Sequence, residues 1–227
     1  MLQATTFKDI IEKWLTGWSV SRELPLPSAF RSGYKVDVGF EKQKCRYVFP
    51  MLNEDFFELA KTVVEPWTFL KVCAPPDKLA NLLPPRWVIQ PQGYMMHCFR
   101  PMTNRALPLN SEFKLEWEEN GTVHLLKIVD SQGAVAACGR VVLVDDVAVY
   151  DRISTEPNYR RKGLASLLMY ELERIALVKG VRKNVLVATQ EGKGLYTSLG
   201  WDLYSLYTSI VIPHFDPVSS NDDLNYS

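Results

Sequence analysis

Hydrophobic positions along the chain follow two different periods. Near the start, Phe7, Ile10, Ile11, Trp14, Leu15 and Trp18 recur at the three- and four-residue spacing of one helix face. Thr6 and Asp9 resemble a capping box at the start of that helix. Lys8 and Lys13 are too few for the basic face of a membrane-surface helix, so the pattern predicts packing onto a core. Strands are predicted over 34–39 and 45–49, a helix over 53–64 and a strand over 67–73. Pro75-Pro76 opens a short helix, 77–83, and strands follow over 86–90 and 93–99.

A polar, turn-rich run, 103–111, predicts a linker. Beyond it, residues 112–118 alternate apolar and polar, as a half-buried strand does. Asn120-Gly121 is a hairpin turn, and strands follow over 122–129, 134–144 and 147–154. The period then lengthens. Leu164, Leu167, Leu168, Leu172, Ile175, Ala176 and Val178 mark a helix over 163–179, with Gly180 where a C-terminal capping glycine belongs. Residues 184–188, apolar after Asn184, have the pattern of a strand buried on both faces. A second helix, 191–199, ends at Gly200, and 201–212 supply two final strands. The order β-β-β-β-α-β-α-β-β predicts an α/β (mixed α+β) fold. Residues 67–99 echo the later half in their elements alone, which raises a degenerate tandem repeat. The expected organisation is an N-terminal α/β half over 1–105, a second domain over 106–213, and a polar tail over 214–227 that frays.

Composition narrows the function classes. Among 227 residues, 26 Lys and Arg balance 26 Asp and Glu. The basic excess of a general nucleic-acid binder is therefore missing. No apolar run reaches the roughly 20 residues of a bilayer span. Cys45, Cys73, Cys98 and Cys138 are scattered, without CxxC or Cys/His spacing. The expectation is a cytoplasmic protein with reduced thiols, no metal, and neither membrane nor nucleic acid as partner. His97 and His124 read as structural.

The chemistry concentrates at Arg160-Arg161-Lys162-Gly163-Leu164-Ala165-Ser166, between a strand ending near Thr155 and a strongly periodic helix. A helix N-terminus presents backbone N–H groups without partners and a partial positive charge. Glycine and small residues let a bulky anion approach that backbone, and three cations add attraction for a pyrophosphate.

Arg160-x-x-Gly163-x-Ala165 resembles the (Gln/Arg)-x-x-Gly-x-(Gly/Ala) signature of the GNAT acetyltransferase superfamily. "GLYTSLGW" is similar to its second signature, and the resemblance covers residues 112–212. It implies the GNAT acyl-CoA N-acyltransferase fold, with a central, mostly antiparallel sheet, and acetyl-CoA as co-substrate. By that resemblance Arg160, Arg161, Lys162, Gly163, Leu164, Ala165 and Ser166 hold the pyrophosphate. Ile153, Ser154 and Thr155 meet the pantetheine arm and acyl carbonyl with their backbone. Tyr196 falls where many members place a tyrosine that protonates the departing thiolate. Thr189 stands where many members carry an asparagine.

Asp151 lies four residues before Thr155. It is either a base for the incoming amine, a holder of a cationic substrate, or half of a salt bridge. Arg46, Lys71 and Arg100 are isolated cations in strand patterns. They either line an acceptor pocket and favour an acidic group, or bridge to Asp37, Glu41 or Glu54. The expected activity is direct acetyl transfer to a primary amine of a small molecule. The alternatives are a protein or peptide N-acetyltransferase, or a non-catalytic acyl-CoA sensor.

Overall fold

The computed structural model describes residues 6–103 and 109–213. Most of the predicted linker and the whole tail from His214 lie outside them. The chain opens with α1 (Phe7–Ser21), whose capping box is formed: Thr6 Oγ1 accepts from Asp9 N, and Asp9 accepts from Thr6 N. β1 (Ser28–Phe30), β2 (Gly33–Phe40) and β3 (Gln43–Phe49) form an antiparallel meander. α2 (Glu54–Thr62) crosses over to β4 (Thr68–Val72), which runs parallel to β3. Two single turns of 3-10 helix, Pro76–Lys78 and Ala80–Leu82, replace the short helix expected over 77–83. β5 (Val88–Ile89) and β6 (Gly93–Cys98) follow.

The second half also runs from antiparallel strands through a crossover helix to a parallel strand. β7 (Phe113–Asn120), β8 (Val123–Asp130), β9 (Val135–Val144) and β10 (Val147–Thr155) form the expected antiparallel series. α3 (Leu164–Val178) crosses to β11 (Lys183–Ala188), which runs parallel to β10. α4 (Gln190–Ser198) leads to β12 (Asp202–Val211).

Ser28–Phe30 adds a strand to those expected. The two strands expected over 201–212 are one strand whose register shifts between Leu203 and Ser205. The irregularity lets β12 change partners. Its first half pairs with β6; its second half is inserted between β4 and β5.

The consequence is a single sheet, β1-β2-β3-β4-β12-β6-β11-β10-β9-β8-β7, with β5 beside the end of β12. β6, from before the 105/106 boundary, lies between β11 and β12, from after it. The two halves of the chain thus share one sheet through exchanged strands.

The sheet has a core on each face. α3 packs over one face with Leu168, Leu172 and Ala148, and α2 covers the N-terminal part with Phe49, Phe56 and Leu70. On the other face α1 buries Ile11, Trp14, Leu15 and Trp18 against Val142, Val149, Val185 and Tyr207. Gly17 makes that approach possible: a Cβ there would stand 2.6 Å from the Val149 side chain. The role expected for α1 from its periodicity, docking on a core, is what the fold displays.

Candidate active site

β10 and β11 are paired only from Val147–Val149 to Lys183–Val185. Beyond those three positions the parallel strands separate. The separation is built into β10. Arg152 takes a left-handed backbone, φ 54°, and the pairing with β9 slips by one residue between Asp151 and Ser154. A β-bulge of this kind bends the strand and re-aims the residues after it. By contrast β3 and β4, the equivalent pair of the first half, stay paired over five positions, from Cys45–Thr68 to Phe49–Val72. Only the second half opens a cleft at this place.

The cleft is part of a cavity of about 940 Å³. Its outer end is lined by Arg160, Arg161, Gly163, Leu164, Ala165 and Ser166. Gly163 is the N-cap of α3 and has φ 76°, a left-handed conformation that costs a residue with a Cβ roughly 1–2 kcal/mol. α1, α2 and α4 each have a side chain accepting from their first turn, from Thr6, Asn53 and Thr189; α3 has none. The first amides of α3 are therefore free for an anion. Arg160 reaches across the mouth to Glu191 at 3.3 Å and to the Thr155 carbonyl at 3.4 Å. Lys162 is placed differently from its neighbours. It turns away from the cavity, its ammonium 5.6 Å from the Phe113 ring and 5.5 Å from that of Tyr159.

Ile153, Ser154 and Thr155 line the middle of the cavity, facing Leu186, Val187 and Ala188 of β11. The Thr155 hydroxyl is buried and has no hydrogen-bond partner among the described residues. Thr189 also lines the cavity, but its oxygen is committed to capping α4, accepting from Gly192 N at 3.1 Å. Its hydroxyl hydrogen remains available to donate.

Tyr196 is buried on α4, at 8% exposure, and lines the same cavity. Its ring packs 5.9 Å from that of Trp201. Burial, with the negative charge of Asp151, pushes the phenol up to about 12. It therefore keeps its proton through the whole neutral range. Its hydroxyl makes no hydrogen bond to the described residues, and so is free to donate to a ligand.

Of the alternatives for Asp151, the structure displays the ion pair. Its two oxygens take the Nε and Nη2 hydrogens of Arg22, each at 2.9 Å, and one also accepts from Ser21 Oγ at 2.8 Å. Arg22 and Ser21 sit at the C-terminal end of α1. The sequence held no signal for this meeting of residues 129 apart.

Sequence periodicity also gave no sign that α1 would wall the cavity. Trp14, Trp18 and Arg22 line its inner end, with Arg46, Lys71 and Tyr207 from the exchanged part of the sheet. Arg100 lies elsewhere, paired with Asp202 at the surface. His97 does not line the cavity. It packs between Phe99 and Tyr204, and burial lowers its pKa. His124 lies 3.7 Å from Glu119. Among the described residues no helix is long and apolar enough to cross a membrane.

Comparison with known proteins agrees with this geometry. Residues 92–201 match the acetyltransferase (GNAT) family. The fold is similar to that of a GCN5-related N-acetyltransferase from Kribbella flavida, with a TM-score of 0.67, 13% identity, and coverage of 93% of this chain and 98% of that one. It is also similar to an acetyltransferase of the GNAT family from Novosphingobium aromaticivorans (TM-score 0.56, 15% identity, 89% and 96% covered). A tandem GNAT protein from the clavulanic acid biosynthesis pathway aligns over 70% of this chain and 68% of its own, with a TM-score of 0.50 and 12% identity. At these identities the likeness is one of fold, and it spans both halves of the chain. With the family match over the cleft itself, residues 92–201 are an acetyltransferase domain of the GNAT family, and the chain is an acetyl-CoA-dependent acyltransferase.

Proposed function

We propose that this enzyme moves an acetyl group from acetyl-CoA directly to a primary amine of a small molecule. The observation that carries this reading is the single cavity: an uncapped helix N-terminus at one end and a wall of Trp14, Trp18 and Tyr207 at the other. In this reading the pyrophosphate rests on the amides of Gly163 to Ser166, with Arg160 and Arg161 beside it. The pantetheine arm lies along Ile153 to Thr155, where β10 has lost its partner strand and offers free backbone groups. Thr189 adds a hydroxyl on the opposite side. Lys162, turned toward Phe113 and Tyr159, contributes charge at a distance rather than a contact.

Acetyl-CoA supplies an activated thioester carbonyl. Tyr196 holds the proton that the reaction needs. It gives that proton to sulfur as the C–S bond breaks, and it recovers one through water from the amine as the C–N bond forms. One proton passes from nitrogen to sulfur overall, so the balance closes without an acyl-enzyme. Asp151 acts at one remove. By holding Arg22 it fixes the end of α1 against the bulge and shapes the acceptor end.

The inner wall of buried Trp14, Trp18 and Tyr207 favours a small acceptor over a peptide, which needs an open groove. The retained Tyr196 favours an enzyme over a sensor. The N-terminal half, 1–105, serves the acceptor side in this reading, as a degenerate unit whose own β3–β4 pair stays closed.

The test is direct. Acetyl-CoA at about 100 times its Kd should stabilise the fold by about 2.7 kcal/mol, a rise in Tm of roughly 5–10 °C. A panel of small primary amines should then release free thiol from acetyl-CoA. No shift in Tm at millimolar acetyl-CoA would overturn the reading.

A further inference from the structure

Two cations at the inner end of the cavity have no ion-pair partner among the described residues. Arg46, on β3, and Lys71, on β4, project to the face of the sheet that α1 covers. Arg46 is only 7% exposed, and its guanidinium lies 3.6 Å from the centroid of the Trp18 ring. Its polar partner is neutral: the Gln43 amide, with its oxygen turned inward, takes the Nε and Nη2 hydrogens at 3.1 and 2.9 Å. Lys71 Nζ donates to Ser209 Oγ at 2.7 Å, directly opposite on β12. Lys71 is enclosed by protein yet keeps partial exposure, because it opens into the cavity.

Of the carboxylates that were candidates to neutralise these cations, Glu41 and Glu54 are exposed and pair with neither. Asp37 pairs with Lys35 at the surface. Asp151, whose charge acts on Arg46 from a distance, is committed to Arg22. Among the described residues neither Arg46 nor Lys71 has an ion-pair partner. Burial, then the charges of Arg46 and Arg22, hold the Lys71 pKa well below its usual value, and an anion beside it favours the charged form. The Tyr207 hydroxyl, buried in the same wall, also has no hydrogen-bond partner among the described residues. Buried cations ordinarily occur paired, because an unpaired charge away from water is costly.

We propose that Arg46 and Lys71 form an anion subsite of the acceptor pocket, so that the acceptor is an amine that also carries a carboxylate, as an amino acid does. This rests on the transfer reaction proposed above. The cations at the opposite end, Arg160 and Arg161, belong to the pyrophosphate site. The neutralised Arg22–Asp151 pair and Tyr196 belong to neither set. A carboxylate entering between Arg46 and Lys71 leaves water for charge-assisted hydrogen bonds in a low-dielectric site, where they are strong. An amine without one leaves Arg46 and Lys71 unpaired. The subsite thus discriminates by attraction and by rejection together.

The experiment pairs each of several amino acids with the amine lacking its carboxylate: phenylalanine with phenethylamine, β-alanine with ethylamine, leucine with isopentylamine. Two measurements are made on the wild type and on Lys71→Met: the shift in Tm with the amine in the presence of coenzyme A, and kcat/KM by thiol release from acetyl-CoA. In the wild type at least one amino acid should stabilise the protein more than its partner and react on the order of tenfold faster or more. In Lys71→Met that preference should vanish. The variant should fold with an equal or higher Tm, because it removes an uncompensated buried cation. Equal behaviour of every pair in the wild type, or a preference retained by Lys71→Met, overturns the subsite. The two proposals fail separately. Plain amines reacting as well as amino acids would remove the subsite and leave the transfer reaction. A Lys71-dependent stabilisation by amino acids without thiol release would do the reverse.

Discussion

Arg22 and Asp151 form a two-pronged ion pair, Nε and Nη2 each 2.9 Å from a different carboxylate oxygen, that ties the end of α1 to the bulge of β10. It joins the inner wall to the bulge: Arg22 is next to that wall, and Asp151 is followed at once by the left-handed Arg152 that opens the cleft. Both side chains are largely out of solvent, at 28% and 11% exposure.

Asp151→Asn should therefore cost stability first. Leaving Arg22 without its partner should cost about 2 kcal/mol, less than for a fully buried pair because Arg22 keeps some solvent contact. That corresponds to a fall in Tm of roughly 4–8 °C. Turnover should fall as the end of α1 loosens, while the pH dependence of kcat/KM keeps its shape. Loss of one limb of that profile would show instead that Asp151 takes the proton of the amine.

Gly163→Val strikes the anion cradle. A β-branched residue at φ 76° is strained by roughly 1–2 kcal/mol, and its side chain stands where the pyrophosphate approaches. Calorimetry should give acetyl-CoA affinity weaker by more than tenfold, with far-UV circular dichroism unchanged. Undiminished affinity would remove Gly163–Ser166 from the binding site.

Tyr196→Phe separates proton donation from binding. Turnover should fall by roughly 10²–10⁴, the range for a positioned acid, while acetyl-CoA affinity stays within about twofold. A fall in affinity with turnover retained would refute the role. A second readout lies at high pH. The phenol is pushed up to about 12 in the folded chain, from an ordinary value near 10. Its protonated form thus stabilises the fold below pH 10, and that contribution is lost as pH rises from 10 toward 12. The Phe variant should lose less stability than the wild type across that window, measured by denaturant melts.

Much of this was legible along the chain. The period of two over 112–154, the shift to a helical period at 164–178 and the run 184–188, apolar after Asn184, mark the elements around the cleft. Strand hydrogen bonding and helix faces are local or nearly so, and they leave a periodic trace. The Gly163 turn was readable for the same reason, since a left-handed N-cap is a property of one residue and its neighbours. The meaning of Arg46 and Lys71 was not readable. Alternation showed them to be out of place in strands, but whether an acid would meet them depended on pairings across the sheet.

What the sequence by itself determined is the sequence of elements, the glycine turn at the head of α3 and the tyrosine on the last helix. Tertiary structure alone decided the rest. It exchanged β6 and β12 between the halves, laid α1 across the inner end of the cavity, joined Arg22 to Asp151 and left Arg46 and Lys71 facing the cavity without a counter-ion among the described residues. The physical reason is one of range. Backbone hydrogen bonding and hydrophobic periodicity act over a few residues and are written in their order. The Lys71–Ser209 contact joins residues 138 apart, and it exists only where strand register sets them opposite each other.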